Sequence, residues 1–89
     1  MTKRTDKDNI LVRSELALAF GQHIKKLRLG KGYSMRGFAD KADIEYTQIV
    51  KIEKGISAPT ITTIYKLSEA LDVQMKELFD FKFPVKPKK

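Results

Sequence analysis

The stretch SMRGFADKADIEYTQIVKIEKG, residues 34–55, decides how this chain is read. Ser34 has the chemistry of a helix N-cap, and Met35, Phe38, Ala39 and Ala42 follow it at helical spacing. The stripe runs for about two turns despite Gly37, which weakens it. Only Asp43, Ile44 and Glu45 separate Ala42 from Tyr46; from there Ile49 and Ile52 carry a second apolar stripe until Gly55 supplies a left-handed stop. Two short helices therefore meet at a tight turn. The second has two sides: Ile49 and Ile52 point inward, while Tyr46, Thr47, Val50, Lys51 and Lys54 are related by steps of three and four on the opposite side. A B-DNA major groove admits one α-helix, read by hydrogen-bonding or methyl-contacting groups near the helix N-terminal half, and Tyr46, Thr47 and Val50 fit that description. A solvated face bearing two lysines fits the same pattern, so periodicity alone leaves both readings open.

On the N-terminal side, no Pro interrupts Arg13 to Leu29, and Leu16, Phe20, Ile24 and Leu27 fall on one helical face. Asn9 and Ser14 are both candidate N-caps for this first helix, and Gly30 and Gly32 mark its end. On the C-terminal side, Ala58-Pro59-Thr60 is a boundary with Thr60 as N-cap. Ile61, Ile64, Leu67, Ser68 and Leu71 then lie along a fourth helix ending near Asp72. A last short helix holds Met75, Leu78 and Phe79, after which Phe81, Phe83 and Val85 alternate with Lys82, Pro84 and Lys86 in a strand-like pattern. The expected architecture is all-α: a polar arm over 1–12, a compact five-helix domain over 13–80, and a basic Phe/Pro/Lys tail over 81–89.

Eighty-nine residues leave room for one compact unit and not for an interdomain catalytic cleft. The absence of Cys excludes disulfides and thiolate zinc sites, and His23, the one histidine, cannot supply a His pair. No metal and no cofactor is expected. The N-terminus lacks an apolar signal core and no run is long enough to span a bilayer, so a soluble, cytoplasmic protein is expected, with no membrane partner. The net charge of +7 suggests an anionic partner, yet residues 1–13 carry +2 and residues 82–89 carry +4, leaving +1 between them. The excess charge thus sits mostly at the ends, as solubilising tails or as phosphate-reaching arms. Enzyme motifs fail: Phe38-Ala39 stands where a P-loop needs Lys-Ser/Thr, Gly30-x-Gly32 lacks a third glycine, and His23 has no nucleophile elbow to serve. His23 reads as a surface or boundary residue.

The string Phe38-Ala39-x-x-Ala42-x-Ile44-x-x-x-x-Ile49-x-x-Ile52-Glu53-x-Gly55-x-x-x-Pro59, followed by Leu71-x-Val73 and Glu77-Leu78, resembles the Cro and lambda-repressor type of helix-turn-helix domain, the XRE-like family. The match runs from about Phe20, through Ile24-x-x-Leu27-Arg28, to Phe79. The resemblance implies a five-helix domain that binds operator DNA, usually as a two-fold dimer, with a recognition helix at about 45–54. It places base-edge contacts on Tyr46, Thr47, Val50 and Lys51 and a backbone contact on Lys54. Ser34, at the start of the second helix, could meet a phosphate through its hydroxyl or neighbouring backbone N–H groups, besides capping. The resemblance also pairs Arg28 with Glu53 as a partly buried structural ion pair. Three positions depart from the family pattern: Met35 stands for the usual Gln, Asp43 for the turn glycine, and Glu45 for the Ser or Thr cap of the third helix. Asp tolerates the left-handed region, so the turn should survive; Glu45 would point a carboxylate toward phosphates.

The function expected is a sequence-specific transcriptional regulator of the repressor kind, not an enzyme, with double-stranded DNA and a second copy of itself as partners. The alternative is an antitoxin or partner-binding module, in which the domain or its Phe-rich end clasps another protein. Met75, Leu78, Phe79, Phe81 and Phe83 crowd apolar surface at the end of the domain, where they either join two copies or fold back over the first helix.

Overall fold

A computed structural model of the chain describes residues 6–83, with side chains from Glu15 onward. Four α-helices follow one another: α1 Asp6–Gly30, α2 Met35–Ala42, α3 Tyr46–Glu53 and α4 Ile61–Leu71, with a 3-10 helix at Met75–Phe79. The fold is all-helical, and the described residues include no strand. Phe81–Phe83, expected to begin a strand-like segment, form none; Val85 and the rest of the tail lie outside the described residues.

Helix α1 begins seven residues before Arg13, so part of the stretch read as an arm is helical backbone. No Pro or Gly interrupts the sequence from Asp6 to Phe20. The last helix is a 3-10 helix of five residues and not an α-helix: it follows Gln74, whose N donates to the Glu77 carboxylate at 2.7 Å, and the chain leaves it at Asp80.

Phe20 and Ile24 of α1, Phe38, Ala39 and Ala42 of α2, Ile49 and Ile52 of α3, Leu67, Ala70 and Leu71 of α4, and Leu78 form one core. Leu16, expected on the same stripe as Phe20, is 44% exposed, and Ile61 at the start of α4 is 78% exposed. Both stripes therefore run past the edge of the core. Of the apolar residues near the C-terminus, Leu78 is fully buried while Phe79 is half exposed. Phe81 folds back, its ring edge-on to Phe20 at 6.4 Å and tilted on His23 at 5.5 Å. His23 lies at the boundary, half-buried, where its Nε2 donates to the Glu77 carbonyl at 2.9 Å.

Two glycines set how closely α1 and α3 cross. A Cβ at Gly21 would collide with the backbone carbonyl of Ile52 and lie 2.9 Å from that of Glu53. Gly55, at φ +72, both turns the chain out of α3 and would place a Cβ 2.6 Å from the Leu18 backbone. The α2–α3 turn is held in the left-handed region by Asp43, at φ 57, and Lys66 of α4 donates to its carbonyl at 3.3 Å.

Candidate nucleic-acid interface

Helix α3 is fixed from its inner side. Ile49 and Ile52 are each 1% exposed, and Glu53 beside them is ionic yet buried. Arg28, at the end of α1, answers that carboxylate side-on: Nε donates to Oε2 at 2.7 Å and Nη2 to Oε1 at 3.0 Å. Its remaining nitrogen, Nη1, donates to the Tyr33 carbonyl at 2.7 Å. One guanidinium thus ties the end of α1, the end of α3 and the approach to α2, in the planar two-pronged geometry that a lysine could not reproduce.

The opposite side of α3 has no such commitments. Thr47, Lys51 and Lys54 are exposed and stand in one line, at steps of four and three. Tyr46 and Val50, a turn apart, form a half-buried line beside it. Lys54 is the last residue of the segment and occupies the C-cap position, where a cation complements the helix dipole. Thr47, Val50, Lys51 and Lys54, with Tyr46, are therefore brought to one continuous surface.

The N-terminal edges of α2 and α3 differ. Ser34 caps α2, its Oγ accepting from Gly37 N at 3.0 Å. That leaves the hydroxyl proton free to donate outward. Glu45 stands at the N-cap of α3 in extended backbone but makes no side-chain cap bond. Its carbonyl accepts from Gln48 N and Ile49 N, so the first turn closes through backbone alone.

One residue of this surface escaped the sequence reading. Arg36, the second residue of α2, lies with its guanidinium carbon 4.1 Å from the centre of the Tyr46 ring. The hint available in the sequence was its place: a cation in the first turn of a helix opposes the dipole, and α2 has no acid there to offset it.

Elsewhere, Leu16, Phe20, Pro59, Ile64, Phe79 and Phe81 line an apolar groove of about 330 Å³. Among the described residues no cluster of His, Cys, Asp or Glu could hold a metal ion, and no helix is long and apolar enough to cross a membrane.

Comparison with known proteins returns the same framework. Residues 24–78 match the family model described as helix-turn-helix. Control protein C.BamHI of Bacillus amyloliquefaciens is 38% identical over 69 residues, which cover 76% of this chain and 85% of that protein. The HTH-type transcriptional regulator SinR of Bacillus subtilis (strain 168) is 38% identical over 63 residues, 70% of this chain and 57% of SinR. Among solved structures, the restriction-modification controller protein C.AhdI from Aeromonas hydrophila superposes with a TM-score of 0.70 at 32% identity, covering 71% of this chain and 96% of that one.

Proposed function

We infer, because the chain belongs to the helix-turn-helix family of DNA-binding transcription regulators, that α3 is the helix it lays into the major groove of operator DNA. The observation that carries this reading is the division of α3 into an inner side held by Ile49, Ile52 and the Arg28–Glu53 pair and an outer line of exposed Thr47, Lys51 and Lys54. In this reading Lys51 donates to guanine acceptors, Thr47 offers a hydroxyl or a methyl, and Val50 and Tyr46 meet base edges from the flank. Lys54 and the N-terminus of α2 at Ser34 sit on phosphates, which sets register without reading sequence. The protein performs no chemistry of its own and acts in the cytoplasm, where its operator lies.

An eight-residue recognition helix reads few base pairs, and pairing two copies about a two-fold axis doubles the site. The apolar groove beside half-exposed Phe79, with Ile61 a turn from Ile64 on α4, supports a second copy of this chain as its occupant. The relatives favour operator binding over the antitoxin alternative. The match takes in most of C.BamHI and C.AhdI and little more than half of SinR.

Selection of bound duplexes from a random pool tests the reading. A palindrome with half-sites about one helical turn apart is the expected result. Absence of any enriched sequence at moderate salt overturns it, and a monomer by sedimentation at DNA-binding concentrations removes the dimer.

A further inference from the structure

Arg36 is exposed, sits in the first turn of α2 against the helix dipole, and among the described residues makes no hydrogen bond or ion pair. No acid in the first turn of α2 offsets that charge. It lies over the face of Tyr46, the first residue of α3, with the guanidinium carbon 4.1 Å from the ring centre. Tyr46 is itself anchored, half-buried against the core. A guanidinium held over a ring in this way is positioned by it, while its N–H donors are taken by no acceptor among the described residues. The contact also removes much of the rotamer freedom that an exposed arginine would lose on binding.

The geometry points to Arg36 and Tyr46 as one preorganised reading unit, in which the ring holds the guanidinium edge for a bidentate contact with the O6 and N7 acceptors of a guanine. The proposal rests on α3 entering the major groove. A phosphate would accept a cation from many directions, whereas a guanine edge demands donors held in one place, and a guanidinium held over the Tyr46 ring is limited in where its donors can lie. The unit reads a base beside those met by Thr47 and Lys51, from a helix other than the recognition helix. Specificity is then shared across the turn.

The test compares duplex selection by the wild-type protein, Arg36→Ala, Arg36→Lys, Tyr46→Phe and Tyr46→Leu, each at two salt concentrations. One G·C position in each half-site is expected to lose its preference by about 5- to 150-fold in Arg36→Ala and Arg36→Lys. Tyr46→Leu loses the preference at that same position, and Tyr46→Phe, which keeps the ring, retains it there whatever changes at a base that the hydroxyl itself meets. Replacing that guanine with 7-deazaguanine weakens the wild type and leaves Arg36→Ala unaffected. Uniformly weaker binding of Arg36→Ala on every sequence, with a shallower salt dependence, assigns Arg36 to phosphate and overturns the proposal. So does a Tyr46→Leu protein with the preference intact. A wild-type motif indifferent to Arg36 sinks this unit alone, whereas a wild type with no motif sinks the reading of α3 as well.

Discussion

Within α3, the side that meets α1 and the side that meets solvent differ in how many partners each side chain already has. Glu53 receives two charge-assisted hydrogen bonds from Arg28, and Ile49 and Ile52 are sealed in the core. Thr47, Lys51 and Lys54 on the other side are exposed. In the proposed reading, stability and recognition fall to different residues of α3 and its C-cap. Substitutions on the inner side should change whether α3 exists, and substitutions on the outer side should change only what it binds.

The largest effect is expected at the ion pair. Arg28→Ala or Glu53→Ala leaves one charge buried without its partner and should cost about 3–5 kcal/mol in urea unfolding. Replacing both with well-packed apolar residues should cost far less than the two single changes added together. Two singles within about 1 kcal/mol of wild type would place the pair with exposed ones and blur the contrast between the two sides.

Next comes the crossing of α1 and α3. Gly21→Ala sets a Cβ against the Ile52 carbonyl, which is backbone and cannot rotate away. The helices must separate, at about 3 kcal/mol, the upper part of the range for overpacking. A change in the denaturation midpoint under about 1 kcal/mol would mean that the crossing is looser than the structure has it.

On the outer side, Lys51→Ala should leave unfolding within about 0.5 kcal/mol of wild type. In the same variant, preference at one base position should fall by about 1–3 kcal/mol. Lys54→Ala should weaken all sequences alike and reduce the salt slope by about one ion. A large loss of stability from either lysine would show that the outer side also holds the fold.

The two sides were not equally legible in the sequence. Spacing alone placed Phe38, Ala39, Ala42, Ile49 and Ile52 on inward faces, because burial imposes a period that hydrophobic residues record. The beginning of α1 was hidden by Asn9 and Ser14, capping residues that read as starts even where the helix runs through them. The alternation from Phe81 to Val85 read as a strand, yet Phe81 is apolar because it folds back onto Phe20 and His23. Composition likewise could not divide buried Leu78 from half-exposed Phe79, since adjacent residues in a 3-10 helix point apart. The Arg36–Tyr46 stack left no periodic trace, being made by two residues on different helices whose shared position depends on the turn between them.

The smallest effect lies at the border of the two sides, at Glu45. Ser34 and Thr60 each cap their helix, accepting from Gly37 N and Thr63 N, whereas Glu45 heads α3 without a side-chain bond. Glu45→Ser supplies an oxygen on a short side chain to one of the free N–H groups of the first turn and should stabilise the protein by about 0.5–1 kcal/mol. It also removes a carboxylate from the end of α3 nearest the proposed phosphate contacts, so binding to all duplexes should tighten, most strongly at low salt. A gain in stability without tighter binding would separate the cap from the interface and move the edge of the DNA-facing surface inward to Tyr46. Tighter binding without a gain in stability would leave Glu45 acting on the duplex through its charge alone.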